Sequence, residues 1–211
     1  MITLDTRTVL LVGLLATLAS LAVVALLWRG NRDRFAGMAF WAADYAVTSI
    51  GTLLVALRGV IPDWLSMVGG SGLVIAGSLL MLMGLERFLG KRGRQYHNYL
   101  VLALFITVQW YFAVNQPSLK MRTINIAAAM TIICFQCSWL LLKKTMFDQR
   151  PATRMLGLVF AAYCAVNTLR IAEWIVIPQE SDDFLNSSVV EMLFLISYYL
   201  LLILMTYGLV H

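Results

Sequence analysis

A chain of 211 residues that is 61% hydrophobic and only 13% charged lacks the polar surface of a water-soluble domain, and its mean hydropathy of +0.81 places it in a membrane. Its net charge of +5 sits mostly in short links between apolar runs, which reads as topology and contact with anionic lipid and leaves no support for nucleic-acid binding. Three cysteines make no disulfide framework.

An α-helix needs about 20 apolar residues to cross the hydrocarbon core. Seven such windows follow one another, at 8–28, 35–57, 64–85, 99–114, 123–142, 155–177 and 187–210. Continuous runs of this length are helices, not the alternating strands of a barrel. The expected fold is an all-α membrane protein, a seven-transmembrane-helix bundle forming one domain over residues 1–211.

The first window has 21 uncharged residues and basic residues after it, so it is expected to stay as a helix and not to be removed as a signal peptide. In the second, Asp44, Thr48 and Thr52 form one helical stripe. The third carries Gly70, Gly77 and Gly84 at every seventh position, with Ser66 one turn before, which predicts a close-packed helix. Its run Gly69-Gly70-Ser71-Gly72 resembles a phosphate-cradling loop only on the surface, because no Lys-Ser/Thr follows.

The fourth window is the shortest. In the fifth, Asn125 and Gln136 lie 11 residues apart on one side, and Cys134 and Cys137 have C-x-x-C spacing but sit mid-helix with no histidine beside them. In the seventh, Ser187, Glu191, Phe194 and Tyr198 share a face. Rows of this kind are expected to point at the bundle interior. Pro62, Pro117, Pro151 and Pro178 all fall between windows, and the six tryptophans lie at or near window ends, where amphipathic rings favour the headgroup region.

Eleven of the 16 lysines and arginines lie in the links after the first, third and fifth windows, whereas the opposite side collects the acidic loop 180–183. The positive-inside rule then predicts the N-terminus outside and the C-terminus in the cytoplasm.

Arg170 and Glu173 stand inside the sixth window. In lipid each ion costs a few kcal/mol or more unless it faces protein, a partner or trapped water. With a rise of about 1.5 Å per residue, Arg170 lies roughly 10 Å, and Glu173 and Glu191 roughly 6 Å, below the outer boundary. Arg170, Glu173, Glu191 and Asn167, with Arg58 at the rim and Tyr198 on the facing stripe, are therefore the candidate ligand-binding residues. The fork of Arg170 suits a carboxylate or phosphate, and apolar walls suit a tail. The bland alternative is that Arg170 pairs with Glu173 or Glu191 and only locks helices. Asp44, deeper and nearer the cytoplasmic side, is a candidate ion or proton site, or a hydrogen-bonded interior aspartate.

His97 and His211 lie outside the windows, so no intramembrane metal or haem site is expected and no cofactor is implied. No catalytic triad, nucleotide loop or HExxH occurs, so the chain is not expected to be an enzyme.

The segment Ala56-Leu57-Arg58-Gly59-Val60-Ile61-Pro62-Asp63-Trp64-Leu65-Ser66, continuing to Gly84-Leu85-Glu86-Arg87-Phe88-Leu89-Gly90, resembles the N-terminal membrane region of many bacterial diguanylate cyclases. There a multi-helix input module precedes a cytoplasmic GGDEF domain. The resemblance implies a sensor in the bacterial inner membrane that binds a small or lipid-like ligand. Its last helix would control a cyclic di-GMP-making output domain beyond His211, in a homodimer. No GGDEF motif occurs within the chain. The competing expectation is a small-solute transporter or channel with Asp44 and Arg170 in its pathway.

Overall fold

The computed structural model describes residues 6–31, 37–91, 93–145, 151–176 and 189–210. Among them run seven helices: α1 (Thr6–Asn31), α2 (Met38–Ala56), α3 (Ser71–Phe88), α4 (Tyr96–Trp110), α5 (Leu119–Thr145), α6 (Pro151–Val176) and α7 (Val189–Val210). Each is long and apolar enough to cross a membrane, α3 and α4 together with the wide turns described below. Pro178, the acidic loop 180–183, Ser187, His211 and the basic Arg32, Arg34, Arg92 and Arg150 lie outside the described residues.

Cross-helix contacts fix the directions. Between α2 and α3, Gly37 meets Gly84, Asp44 meets Gly77 and Gly51 meets Gly70, an antiparallel register. Gly13 of α1 meets Tyr199 of α7, and the Ser20 hydroxyl accepts from Thr206, so these two helices are parallel. The upper end of the bundle thus carries the start of α1, the α2–α3 and α4–α5 links, and the end of α6. The lower end carries the ends of α1, α3, α5 and α7.

Six helices close a ring in the order α1, α2, α3, α5, α6, α7, and α4 packs outside it on α3 and α5. Amide side chains hold α4 there, and Asn125 also donates to the Phe105 carbonyl at 3.0 Å. Gln136 donates to Asn98 at 2.9 Å and Asn125 donates to Gln109 at 3.0 Å. Both pairs are separated by 11 residues on each helix, three turns, so one antiparallel register satisfies both. The Asn125 and Gln136 row therefore faces α4 and not the centre of the ring, which corrects the expectation that it points inward.

The seven-residue glycine row lets α2 approach α3. A Cβ on Gly70 would stand 2.7 Å from a Val55 methyl, and one on Gly84 would collide with the Trp41 indole. The slot at Gly84 buries Trp41, which stacks at a tilt on Phe88, 5.5 Å between centroids. Trp174 is buried too, so these two tryptophans are core residues; Trp28, Trp64, Trp110 and Trp139 are exposed, as a headgroup belt requires. Pro151 opens α6 instead of lying between helices, because the first turn of a helix needs no donor there.

Two segments have i→i+5 geometry, Leu65–Gly70 leading into α3 and Tyr111–Asn115 ending α4. Such wide turns release a carbonyl from the helical ladder. In the first, the Met67 carbonyl accepts from the Ser71 hydroxyl and, at 3.4 Å, from the Gln109 amide. Above it the chain reverses through Gly59, whose φ of 86° disfavours any side chain, and Arg7 reaches from α1 to the Arg58 carbonyl at 3.5 Å.

Candidate functional site: a cavity inside the six-helix ring

Arg170 on α6 and Glu191 on α7 face each other near the upper end, where the two helices approach. The guanidinium donates through Nε to Glu191 Oε2 at 3.2 Å and through Nη2 to Oε1, a fork-to-carboxylate pair. Both side chains are buried, Glu191 to 2% exposure. One and two turns below, the same helices are laced again. Tyr198 donates to Asn167 Oδ1 at 3.1 Å, Asn167 donates to the Tyr163 carbonyl at 2.8 Å, and Tyr163 donates to the Tyr198 carbonyl at 2.9 Å. The Tyr163 and Tyr198 rings stack 6.2 Å apart within 8° of parallel, and the Arg170 Cζ lies 5.6 Å from the Tyr198 centroid. A planar cation over an aromatic face is held by the ring quadrupole.

A cavity of about 240 Å³ opens beside this ladder, lined by all six ring helices and by no residue of α4. Arg170, Asn167 and Tyr198 form one side of it. The α2 stripe forms another, with Asp44, Thr48 and Thr52 all on the cavity wall. Thr48 donates to Asp44 Oδ1 at 3.2 Å, and Gly77 opposite leaves room for both side chains. Most of the remaining wall is apolar, including Leu10, Val74, Ile133, Phe160 and Leu202. Tyr45, which also lines the cavity, joins Thr206 at 2.7 Å, and Thr206 joins Ser20 at 3.0 Å, so the three tie α2, α7 and α1 together.

A second, smaller cavity of about 80 Å³ adjoins the first at the upper end, and Arg170, Val55, Ser71 and Ile126 line both. Arg58 and Arg122 join Arg170 in its wall, with Ser66, Gln109 and Thr123. Arg122 is buried at the start of α5, its Nε donating to the Ser118 carbonyl at 3.2 Å.

Of the residues singled out in the sequence, Arg170, Asn167, Tyr198 and Asp44 meet in the main cavity and Arg58 in the smaller one. Glu191 stands behind Arg170, and Glu173 is half-buried one turn above; neither lines these two cavities. Arg122, Ser66 and Tyr163 were not among the candidates. Arg122 resembles an interfacial arginine in sequence, and Ser66 a small packing residue. The one available signal for Arg122 was its height, level with the other upper charges.

Cys134 and Cys137 are buried free thiols, and Cys134 borders the main cavity. Among the described residues no cluster of three or more His, Cys, Asp or Glu is placed to hold a metal ion. Chemically the arrangement offers cationic forks at one end of an apolar chamber and a single carboxyl group further down. Neither a family model, nor a characterised protein, nor a solved structure matches the chain, so the site is read from its residues and geometry alone.

Proposed function

We propose that this is a seven-helix membrane receptor whose ligand enters the ring cavity and whose signal leaves through α7. The observation that carries the reading is the cavity itself. Five residues of α7, Leu195, Tyr198, Tyr199, Leu202 and Met205, line it along about half of that helix. An occupant touching so much of one helix distinguishes between two packings of that helix, which is how binding energy becomes displacement. The upper end faces outside on this reading, since the basic links gather at the lower end. The resemblance to diguanylate cyclase input regions adds a cytoplasmic output made of paired domains, and with it a homodimer in the bacterial inner membrane.

A transport reading draws on Asp44, because it borders the same cavity as Arg170 and could relay a cation or proton. Purified protein in liposomes separates the two. Saturable binding of an amphiphile, with spin labels near the lower ends of α7 and α3 changing separation on binding and no solute or proton flux, is the result expected of a receptor. Flux that is lost in Asp44→Asn makes the protein a transporter.

A further inference from the structure

Two features of the upper end remain after the ring cavity has been given its role. The charged side chains in the wall of the smaller cavity, among the described residues, are Arg58, Arg122 and Arg170, the last of them paired with Glu191 as described above. Into the same wall the wide turn before α3 brings Ser66. That side chain is 1% exposed, and its hydroxyl has no hydrogen-bond partner in the protein. A buried hydroxyl left unsatisfied keeps its full desolvation penalty, so a native structure normally keeps one only where something else completes it.

We infer that the smaller cavity is the headgroup pocket of the receptor: it takes a carboxylate or phosphate, held by Arg58, Arg122 and Arg170 and by the Ser66 hydroxyl, while the ligand's apolar body lies in the ring cavity. This deepens the receptor reading and rests on it.

The chemistry of the wall selects the head. Guanidinium forks match the paired oxygens of carboxylates and phosphates, and they repel a quaternary ammonium. Ser66 supplies a neutral donor that an anionic oxygen satisfies; Gln109 supplies an amide at the same level. The dimensions select the body. At about 80 Å³ the pocket has room for a single anionic group. The ring cavity, about 240 Å³, exceeds the roughly 150 Å³ of an apolar cavity that admits benzene, so it suits a short acyl chain or one to two rings. Because Arg170, Val55, Ser71 and Ile126 belong to both walls, head and body can be joined without leaving the bundle.

The wide turn at Leu65–Gly70 is what makes this geometry available. In a regular helix the Ser71 amide would go to the Met67 carbonyl; here it goes to the Val68 carbonyl, and the Met67 carbonyl accepts from the Ser71 hydroxyl and the Gln109 amide. That anchors α4 and the turn on one side of the pocket. Ser66, one residue earlier, is left facing the arginines' cavity.

The test uses the full chain in phosphatidylcholine nanodiscs, titrated with octyl phosphate, octanol, octyltrimethylammonium and inorganic phosphate. Octyl phosphate is expected to bind saturably and octyltrimethylammonium not at all. Arg122→Gln weakens octyl phosphate at least about tenfold, the scale of one lost charge-assisted hydrogen bond, with unchanged helicity. Ser66→Ala, which removes only the hydroxyl and leaves folding intact, weakens it several-fold; Arg122→Lys, which keeps the charge without the fork, falls between.

Phosphatidic acid added to the discs identifies the source: competition with octyl phosphate points to a lipid headgroup, and its absence to a water-borne anion. Either result supports the pocket. Octanol binding as tightly as octyl phosphate, indifferent to Ser66→Ala and Arg122→Lys, overturns the headgroup pocket and leaves the receptor cavity standing. If no probe binds saturably, the receptor reading falls with it.

Discussion

Arg170 turns one face to Glu191 and the other to both cavities, so a single guanidinium joins the α6–α7 seam to the chamber behind it. Structural and functional roles of the pair can therefore be separated. Glu191→Gln leaves a buried, poorly matched arginine, and breaking one side of such a pair costs about 3 to 5 kcal/mol. Replacing both partners by apolar residues of similar size, Arg170→Met with Glu191→Leu, removes the uncompensated charge and is expected to recover most of that loss. Thermal unfolding in detergent should show a large drop for the single variant and a near-normal midpoint for the double one. If the site reading is right, the double variant is stable but has lost saturable amphiphile binding. A double variant that binds normally would make the pair a helix staple and nothing more.

Gly77 and Gly72 stand less than two turns apart on α3 and should respond in opposite directions. A Cβ on Gly77 would lie 2.7 Å from Asp44 Oδ1 and collide with the Thr48 hydroxyl, both held by the α2 backbone. Relief requires α2 to move away, and overpacking of this kind costs about 1 to 3 kcal/mol. Around Gly72 nothing lies within 4 Å of the added methyl. Gly72→Ala therefore gains helix propensity of about 0.5 to 1 kcal/mol, and Gly77→Ala loses stability. Unfolding by a graded denaturing detergent compares the two; equal effects would mean that α2 and α3 do not meet in this register.

Much of this was legible in the sequence for a physical reason: lipid imposes length. A span cannot be shorter than the hydrocarbon core, so seven windows became seven helices, with ends shifted by a few residues. The meeting of Arg170 with Glu191 was readable as one of two pairings, because two charges at one height in neighbouring antiparallel helices have few other places to go. The ring order was not readable. Asn125 and Gln136 form a row in sequence, but whether that row faces the centre or α4 depends on which helix stands outside. Ser66 could not be recognised as a pocket residue, since it falls in a wide turn that breaks the 3.6-residue period without any proline to mark it. Trp41 and Trp174 sit close enough to helix ends to resemble interfacial rings, and only the slot left by Gly84 shows why Trp41 is buried.

The contact between Gly13 and Tyr199 bears on how α7 is held. A Cβ at position 13 would lie within the Tyr199 ring, so α1 and α7 meet there through a slot with no spare volume. Gly13→Leu is expected to push α7 away from α1 and to narrow the ring cavity, since Tyr199 and Leu10 both line it. Amphiphile binding should weaken even though no charge has changed. Cysteine cross-linking between the upper ends of α1 and α7 should fall in parallel. Undiminished cross-linking in Gly13→Leu would place the two helices further apart than the parallel contact requires.

The lower amide pair, Gln136 with Asn98, should lose stability without a loss of binding when it is broken. Gln136 joins α5 to Asn98 of α4 at the lower end and lines neither cavity, and α4 contributes nothing to the ring cavity. Gln136→Leu leaves Asn98 with its hydrogen bond to Gln95, at 2.6 Å, and removes two cross-helix bonds, to Asn98 and to His97. Interhelical hydrogen bonds in membranes average about 0.6 kcal/mol, reaching about 1.7 kcal/mol at most. Hydrogen exchange should therefore speed up along the lower half of α4 and stay unchanged in α6 and α7. Octyl phosphate affinity should remain within about twofold of the unmodified protein, which is less than 0.5 kcal/mol. A larger change in affinity would mean that the lower half of α4, remote from both cavities, is coupled to the ligand site.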